Sequence, residues 1–341
     1  MKNAWICHYL RTPIGRYGGG LAGLRADDLA AAPLREMVAR HPGIAEHIDE
    51  VILGCANQAG EDNRNLARMA ALLAGLPETT PGTTINRLCA SGLDAVGTAA
   101  RAILTGEIDL ALAGGAESMS RALFVMGKAE TPFSRSAEMF DTTIGWRFIN
   151  PRMQELYGTH SLIETAEIVA ETYGISRADQ DAFACRSQER TARAKANGVL
   201  GQPVFPVEVP GGKTGPKQIT EDEHPRPGTT LEALAKLKPI VRPDGTVTAG
   251  NASGVNDGAA VLLVASDAAV ERHGLTPLAR FASFAVTGVD PVLMLTGPIT
   301  ATQQALRRAG LTIDDIDVFE VNEAFATVTL AWLAETGADP A

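Results

Sequence analysis

Apolar and polar positions follow two recurring patterns along the first third of the chain. Short apolar runs predict strands, and they occupy residues 4–9, 50–55, 83–86 and 109–113. Apolar residues at helical spacing predict helices over residues 27–40, 62–75 and 91–105. Strands that alternate with helices in this order form parallel sheets with helices on both faces. The pattern therefore predicts an α/β fold built on a mostly parallel, buried sheet.

The middle of the chain, residues 120–247, has a different composition. Proline, glycine and charged residues are denser there, and a clear helical pattern is limited to residues 163–173 and 177–196. Proline and glycine interrupt regular elements, so this stretch predicts an inserted region rather than a continuation of the sheet. We expect this region to face a ligand.

The last part of the chain returns to the first pattern. Strands are predicted over residues 258–266, 278–286 and 317–321, and helices over residues 300–310 and 323–336. A short run containing Ile-Asp accompanies a strand at both ends, at residues 48–52 and 316–320, which suggests an internal duplication. The second copy stops halfway and its sheet would lack partner strands, so we expect the sequence to be truncated at its C-terminus.

Composition and charge narrow the class of protein. The chain has 341 residues, 45% of them hydrophobic and 21% charged, which is typical of a globular protein of about two domains. Its net charge of −10 argues against nucleic acid and anionic membranes as partners. Its apolar runs are shorter than the roughly 18 residues of a membrane helix. The N-terminus lacks the apolar region of a secretory signal, so we expect a cytoplasmic protein.

The four cysteines are spread along the sequence without a CxxC pair. This spacing argues against a disulfide framework or a thiolate zinc site, so free thiols are expected. The sequence also lacks an HExxH motif or a His/Cys cluster, and no bound metal is expected. Cys7, Cys55 and Cys185 lie within apolar strand or helix patterns, where a free cysteine acts as a small buried hydrophobic residue.

Cys89 differs from these because it lies in the run Asn-Arg-Leu-Cys-Ala-Ser-Gly-Leu, residues 86–93, between a predicted strand and a predicted helix. The N–H groups and the dipole at a helix entrance favour a thiolate, and a tight turn exposes the sulfur. The dipole contributes only about 0.3–1 kcal/mol, so a nucleophilic cysteine here still requires a base. An activated nucleophile and a small buried side chain are the two alternatives for Cys89.

Two weaker signals are assigned to structure rather than to chemistry. Three glycines have the GxGxxG spacing of dinucleotide-binding loops: Gly18, Gly20 and Gly23. Residues 11–17 separate them from the first strand, and no acidic strand end follows about 20 residues on, so a flexible glycine loop is preferred. His41 and His224 each precede proline in a charged loop that is expected to be solvated, and a surface cap is preferred over a pocket role for His160.

Two runs of small and polar residues at strand or helix ends are further candidates for ligand contact. They are residues 248–254 and 321–326. Ser253 either hydrogen-bonds a ligand or caps a turn. Asn322 either holds a water or an oxyanion, or caps the following helix with Glu323 in its first turn.

Taken together, four segments of this sequence resemble the thiolase family, in the family's order. They are residues 86–92, 113–120, 248–254 with 256–258, and 322–326. The resemblance covers essentially the whole chain and implies a five-layered α/β/α/β/α duplication with an inserted loop domain and an incomplete second half. The implied parts are an N-terminal half of residues 1–120 plus 251–275, a CoA-binding loop domain of residues 121–250, and a C-terminal half of residues 276–341. A homodimer or homotetramer is also implied.

Within the family, three segments are most similar to members that cleave 3-oxoadipyl-CoA in the catabolism of aromatic compounds. They are residues 54–65, 126–130 and 141–151. The resemblance implies acyl transfer through Cys89, which attacks the 3-keto carbon. Acetyl-CoA then leaves as an enolate, and a second CoA removes the succinyl group. CoA is therefore expected as a co-substrate, and no tightly bound cofactor is expected.

The same resemblance assigns further side chains to the site. Asn322 would hold the water of an oxyanion site, and Arg226 and Ser253 would contact CoA. The acyl pocket would be bordered by Leu162, Met294, Ala324 and Phe325. For the distal carboxylate of the substrate we hypothesise Arg147 and Arg152, which both lie in the inserted region.

The sequence departs from the family pattern in its catalytic set. Thiolases use a histidine in a Gly-His-Pro motif to activate the nucleophile and a cysteine in a Cys-x-Gly motif toward the enolate, and neither motif occurs in this chain. Both motifs are expected downstream of Ala341. Loss of a positioned acid or base typically slows a reaction by about 10²–10⁴-fold, so low activity and poor folding are expected of the 341 residues alone. In the acyl pocket, Leu162 stands where many relatives have methionine.

Three other functions stay open at this point. The chain could act on acetoacetyl-CoA or on general 3-ketoacyl-CoA substrates, or it could be a non-catalytic, acyl-CoA-binding remnant. A decarboxylating condensing enzyme of the ketoacyl synthase kind shares the broad fold, but the two-histidine or His/Asn site that it requires is not found in the sequence.

Overall fold

The computed structural model describes residues 2–58, 60–211 and 215–340. These residues form two compact units. Unit 1 contains the described residues of 2–143, 200–224 and 255–281, and unit 2 contains residues 144–199, 225–254 and 282–340. The chain therefore leaves unit 1 and returns to it twice before its last segment, which belongs to unit 2.

The regular elements follow one another along the chain in this order. The strands are β1 (Ala4–Arg11), β2 (Gly15–Arg16), β3 (Glu50–Gly54), β4 (Gly82–Ile85), β5 (Leu110–Ser118), β6 (Phe124–Met126), β7 (Met139–Asp141), β8 (Val207–Val209), β9 (Lys217–Ile219), β10 (Asn256–Ser266) and β11 (Ala279–Arg280). The helices are α1 (Ala26–Arg40), α2 (Leu66–Leu73), α3 (Ser91–Thr105), α4 (Pro151–Tyr157), α5 (Leu162–Thr172), α6 (Arg177–Ala196), α7 (Leu231–Ala235), α8 (Asp267–His273), α9 (Gly297–Ala309) and α10 (Ala326–Thr336). All of these strands belong to unit 1, so the described part of unit 2 is built from helices.

Seven strands of unit 1 form one mixed sheet, in the order β11-β1-β10-β5-β3-β4 with β2 paired to β10. β3 runs parallel to β4 and β5, whereas β10 runs antiparallel to β1 and β5. The prediction of a mostly parallel sheet is therefore wrong. The reason is the point at which β10 begins: Asp257 pairs with Ser118 at the end of β5, so a strand that starts there runs back along β5.

Side chains of the central strands alternate between the two faces of this sheet, and helices cover both faces. On β3, Val51 and Leu53 pack in the cluster formed with α1 and α2, whereas Ile52 packs with α3. On β5, Leu112 packs on the face covered by α1 and α2, and Ala113 packs on the face covered by α3. The predicted α/β class, with a buried sheet between helices, is confirmed for unit 1.

Two predicted strands in the last part of the chain differ from the structure. Within residues 278–286 only β11 pairs, and it joins β1 at the edge of the unit 1 sheet. Residues 317–321 form no strand. A strand exists only through its pairing, and no described residue of unit 2 forms a ladder with this run. Its apolar side chains pack against a helix instead, where Phe319 lies 5.0 Å from the Trp332 ring.

Helices α5, α6, α9 and α10 form the body of unit 2. α10 packs against the other three. Its Trp332 is buried and donates from Nε1 to Thr302 Oγ1 on α9 at 3.0 Å. α5 and α6 match the helices predicted over residues 163–173 and 177–196, whereas α4 and α7 have no clear pattern in the sequence. Nowhere in the described ranges is there a helix both long and apolar enough to cross a membrane.

Candidate active site

Cys89 lies in the tight turn between β4 and α3. β4 ends at Ile85 and α3 begins at Ser91. Leu88 has a φ of +50°, in the left-handed region that a leucine adopts only where surrounding contacts hold it there. Cys89 itself is exposed. The prediction of an exposed cysteine at a helix entrance is therefore confirmed, and the alternative of a small buried side chain is wrong for Cys89.

Hydrogen bonds within this turn fix its shape. Ser91 Oγ accepts from the backbone N–H of Arg87 at 2.8 Å and donates to the carbonyl of Leu88 at 2.6 Å. The side chain of Asn86 accepts from the N–H of Leu88 at 3.0 Å and donates to the carbonyl of Ala56 at 2.8 Å. Asn86 therefore ties the turn to the residues that follow β3, and Ser91 ties it to α3.

A glycine on β3 allows α3 to begin close to the sheet. A Cβ placed on Gly54 would lie 2.2 Å from the backbone carbon of Ser91 and 2.4 Å from the nitrogen of Gly92. No larger residue fits there unless the N-terminus of α3 moves. Gly54 therefore helps to set the position at which the sheet holds the turn of Cys89.

The other three thiols are less exposed than Cys89, and desolvation raises the pKa of each. Cys7 and Cys55 are buried, as predicted, and burial raises the pKa of Cys7 to about 11. Burial and then the charge of Glu117 raise the pKa of Cys55. Cys185 is partly exposed rather than buried, and desolvation followed by the charge of Glu189 raises its pKa. All four cysteines are free thiols, as predicted, and Cys89 is the most exposed of them.

A second group of predicted site residues meets within unit 2. The backbone N–H of Ser253 donates to the carbonyl of Ala324 at 2.9 Å. Its neighbour Ala252 forms an antiparallel β-bridge with Phe325. Ser253, Ala324 and Phe325, which the sequence separates by about 70 residues, are therefore brought together.

Asn322 and Glu323 lie ahead of α10 rather than at its start. Phe325 is the N-cap of this helix, so the predicted cap role of Asn322 and the first-turn position of Glu323 are wrong. The bridge between Phe325 and Ala252 keeps the backbone extended up to that point and delays the helix. Asn322 is exposed, and Glu323 accepts a hydrogen bond from Ser187 Oγ at 2.6 Å. The role of Asn322 in holding a water stays a prediction.

The remaining predicted pocket residues flank the same buried cluster of unit 2. The cluster contains Ala166, Val247, Ala324, Phe325 and Val328, with Ile163, Ala252 and Leu295 packed against it. Leu162 directly precedes Ile163 at the start of α5 and is exposed. Met294 directly precedes Leu295 in the 3₁₀-helix Pro291–Thr296, which packs on α5. The four residues predicted for the acyl pocket therefore lie on adjoining elements of unit 2.

A buried polar network supports this group, and the sequence interpretation missed it. Glu167 on α5 is buried and accepts hydrogen bonds from the N–H (2.6 Å) and the hydroxyl (2.7 Å) of Thr246. Asn251 is buried and donates to Asp181 and to the carbonyl of Thr246, both at 3.1 Å. These bonds fix the loop that leads to Ser253. The available signal was a glutamate among the apolar positions of α5, since carboxylates are rarely buried unless paired.

The two predicted CoA contacts are both exposed in unit 2. Arg226 donates its backbone N–H to the Gln188 side chain on α6 at 2.7 Å. Its carbonyl accepts from Thr229 Oγ1 at 2.8 Å, which fixes the backbone of this loop. Ser253 is held through its own N–H, which donates to the carbonyl of Ala324. Their contact with CoA stays a prediction.

The two arginines hypothesised to bind a substrate carboxylate lie in different settings. Arg152 is exposed in the first turn of the short helix α4. Arg147 is partly buried, and the preceding Trp146 donates from Nε1 to the carbonyl of His160 at 3.1 Å. His160 lies two residues before Leu162, where α5 begins. The segment that carries Arg147 is therefore tied, through Trp146, to the residues just before α5.

The glycine loop at residues 18–23 is packed against a carboxylate. Glu223 accepts hydrogen bonds from the N–H of Arg16 at 2.9 Å and of Gly20 at 3.1 Å. A Cβ on Gly19 would lie 2.0 Å from Glu223 Oε2. A dinucleotide phosphate needs such N–H groups for itself, so the choice of a glycine loop over a nucleotide site is supported. Contact with Glu223 holds this loop, contrary to the flexible loop that we predicted.

The histidines singled out in the sequence divide between surface and partly buried positions. His160 is exposed, as the surface interpretation requires. His41 Nε2 lies 2.6 Å from Nδ1 of His8, and burial followed by nearby positive groups lowers the pKa of both. His224 is partly buried, with Nε2 3.4 Å from the carbonyl of Val255. The predictions of solvated loops are wrong for His41 and His224, because each packs against a neighbouring strand or loop.

Metal-ligand geometry is also absent from the part of the chain that the structure describes. In residues 2–58, 60–211 and 215–340, no group of three or more His, Cys, Asp or Glu side chains is arranged to hold a metal ion.

Two family models together match nearly the whole chain. Residues 4–268 match the model described as "Thiolase, N-terminal domain", and residues 275–341 match "Thiolase, C-terminal domain". Among curated proteins, the beta-ketoadipyl-CoA thiolase of Escherichia coli is 62% identical over 338 residues. That alignment covers 99% of this chain and 84% of the relative.

Solved structures are similar over the same extent. The acetyl-CoA acetyltransferase of Bacillus anthracis superposes with a TM-score of 0.92 at 38% identity, over 99% of this chain and 84% of that one. The human mitochondrial 3-ketoacyl-CoA thiolase, in a structure with CoA, superposes with a TM-score of 0.90 at 37% identity, over 99% of this chain and 83% of that one. The predicted α/β fold class is confirmed by both.

Proposed function

Because this chain belongs to the thiolase family, we propose that it cleaves 3-oxoadipyl-CoA with CoA to give succinyl-CoA and acetyl-CoA. The observation that carries the proposal is the exposed Cys89 at the entrance of α3. The substrate is proposed from the 62% identity to a beta-ketoadipyl-CoA thiolase, against 43% to a curated acetyl-CoA acetyltransferase of Pseudomonas aeruginosa. Such a reaction would belong to the catabolism of aromatic compounds.

In the proposed reaction, the thiolate of Cys89 attacks C3 of 3-oxoadipyl-CoA. The C2–C3 bond breaks, its electron pair goes to C2, and protonation of the resulting enolate releases acetyl-CoA. The succinyl group stays on Cys89 as a thioester until the thiol of a second CoA attacks it. That step gives succinyl-CoA and returns the free thiol. The exposure of Cys89 supports this sequence, because two bulky CoA substrates must reach the same sulfur.

The remaining predicted site residues are proposed to bind the two substrates. Asn322 would orient a water at the thioester oxygen, and Arg226 and Ser253 would contact CoA. The acyl chain would lie against Leu162, Met294, Ala324 and Phe325. The exposure of the three polar residues supports these roles, and so does the packing of the pocket residues around one cluster.

The test is the mass of the intact protein after incubation with 3-oxoadipyl-CoA. A succinyl adduct on Cys89, located by peptide mapping, is the expected result. The adduct is measured rather than turnover because it reports acylation of the sulfur itself. The experiment uses stoichiometric substrate and a time course, so slow acylation is still detected.

Other outcomes of this experiment support the competing functions. Faster acylation by acetoacetyl-CoA than by 3-oxoadipyl-CoA would favour a general 3-ketoacyl-CoA thiolase. Protection of Cys89 from alkylation by CoA, without any adduct, would favour the non-catalytic binding protein. An adduct that requires a malonyl thioester would favour a condensing enzyme.

Arg147 is expected to select the substrate with a distal carboxylate. An Arg147→Ala variant should raise the concentration of 3-oxoadipyl-CoA needed for half-maximal acylation roughly tenfold, as expected for a lost charged hydrogen bond of about 1.5 kcal/mol. The concentration of acetoacetyl-CoA needed should change little, because that substrate has no distal carboxylate. Arg152 is the second hypothesised cation, so Arg152→Ala is expected to act in the same way. Equal effects of either variant on both substrates would disprove the assignment of that arginine.

Three further features belong to this proposal. The N-terminal half of residues 1–120 plus 251–275, the loop domain of 121–250 and the C-terminal half of 276–341 remain the proposed domains. The proposed assembly is a homodimer or homotetramer, which sedimentation at several protein concentrations would test. The proposed location is the cytoplasm.

A further inference from the structure

An ion pair joins the turn of Cys89 to the first turns of α3. Arg87 Nε lies 2.6 Å from Oδ2 of Asp94. The Asp94 side chain is 3% exposed and that of Arg87 50% exposed, so the carboxylate is buried under its partner. Arg101, two turns further along α3, lies 3.6 Å from the other carboxylate oxygen. Asp94 thus depends mainly on Arg87 for the compensation of its charge.

This ion pair is part of the same structure that holds Cys89 outward. The backbone N–H of Arg87 donates to Ser91 Oγ at 2.8 Å, and its carbonyl accepts from Ala90 at 3.1 Å. Leu88, the residue with positive φ, lies between Arg87 and Cys89 in the same turn. The backbone of Arg87 is therefore fixed by the turn while its side chain reaches forward to Asp94. The ion pair therefore holds the turn in contact with α3.

The position of Asp94 has an electrostatic consequence for a thiolate at Cys89. Asp94 lies in the first turns of α3, where the helix N-terminus favours negative charge. An unpaired carboxylate at this place would oppose a second negative charge five residues earlier, because like charges disfavour ionisation of their neighbours. With Arg87 in place, the pair adds no net charge beside the thiol.

We propose that Arg87 and Asp94 act as a positioning pair for Cys89, which holds the turn on α3 and keeps the buried carboxylate from suppressing the thiolate. The importance of this pair for catalysis rests on the role of Cys89 in the proposed function. The electrostatic coupling between the pair and the thiol is independent of that function.

Other ionisable groups on the strands packed against α3 have partners of their own. They are His8 with His41, Arg11 with Asp222, Glu50 with Thr83, Glu117 with the N–H groups of residues 56–57, and Asp257 with Ser120. Their partners lie outside the pair, so replacement of Arg87 or Asp94 removes none of these contacts. A change in the ionisation of Cys89 in such a variant can therefore be attributed to the pair.

The experiment measures the rate of Cys89 alkylation by iodoacetamide against pH, in the full chain, by peptide mass spectrometry. Arg87→Gln is expected to raise the pH midpoint of this rate by about half a pH unit, which is roughly threefold slower alkylation near pH 7. Asp94→Asn is expected to lower the midpoint by a similar amount, because it leaves the arginine without its counter-charge. The double variant should return close to the wild-type midpoint. Arg40→Gln, which removes an arginine paired with Glu36 on α1, is the matched control and should leave the midpoint in place.

The opposite signs distinguish an electrostatic role from a purely structural one. If the pair only held the turn and had no electrostatic effect on the thiol, both single variants would shift the midpoint in the same direction or change only the maximal rate, and either result would overturn the proposal. Circular dichroism checks that each variant is folded. If Arg87→Gln does not fold, Arg87→Lys and Asp94→Asn carry the test, with the wild-type midpoint expected for the first and a lowered midpoint for the second. Since alkylation needs no thioester, a wild-type chain that forms no succinyl adduct but shows the opposite shifts would refute the proposed function and keep this inference.

Discussion

Replacing Cys89 with serine is expected to abolish the succinyl adduct, with acylation by 3-oxoadipyl-CoA slowed by at least about 10³-fold. Serine is close to cysteine in size, so the hydrogen bonds of Asn86 and Ser91 that shape the turn are preserved. A serine hydroxyl is a much weaker nucleophile than a cysteine thiol, because it loses its proton far less readily. The loss therefore reports the nucleophile itself rather than the fold.

Cys185→Ser is the matched control for this variant. Cys185 is the other thiol that is not buried, and its raised pKa makes it a weak nucleophile near pH 7. Its replacement should leave adduct formation unchanged. An adduct that persists in Cys89→Ser, or that disappears in Cys185→Ser, would contradict the assignment of Cys89. Intact mass and peptide mapping of both variants make the comparison.

Local patterns in the sequence predicted much of unit 1 correctly. The helix over residues 91–105 has the bounds of α3, and the apolar run at 50–55 differs from β3 by one residue. These elements are long or strongly periodic, and their apolar residues pack on the face that the period requires. The exposed position of Cys89 followed from the same local information, since a tight strand-to-helix turn leaves little room to bury a side chain.

Long-range pairing accounts for most of what the sequence did not predict. Nothing local indicates that β10 begins beside the end of β5 and therefore runs antiparallel to it. The delayed start of α10 depends on the bridge between Phe325 and Ala252, which are more than 70 residues apart. The contact between His8 and His41 likewise joins β1 to the end of α1. In each case a distant partner overrides a local preference.

The candidate site shows the same division between local and distant information. The sequence offered candidates for substrate contact, because their motifs are contiguous. It did not identify the residues that hold those motifs in place, such as Glu167 and Asn251, whose partners lie 79 and 70 residues away. Support residues of this kind make no motif, and burial of a charged side chain is visible only in the folded chain.

Glu167→Ala is therefore expected to have the largest effect on stability, with the free energy of unfolding of unit 2 reduced by about 3 kcal/mol or more. Glu167 accepts from the N–H groups of Thr246 (2.6 Å) and Val247 (3.1 Å) and from the Thr246 hydroxyl (2.7 Å). Removal of the carboxylate leaves all three donors without their acceptor, and Val247 N–H lies in a buried region where water does not replace it easily. The loop that leads to Ser253 should loosen as a result.

Urea unfolding in a Trp5→Phe background isolates this effect. Of the three tryptophans in the chain, Trp146 and Trp332 belong to unit 2, so fluorescence in this background reports unit 2 alone. Glu171→Ala is the matched variant, because Glu171 lies one turn further along α5 with an exposed side chain that forms only a surface ion pair with Arg242. Its replacement should cost less than about 1 kcal/mol. Equal costs for the two glutamates would show that the buried network does not hold the loop, and the support proposed for Ser253, Ala324 and Phe325 would have to come from their direct contacts alone.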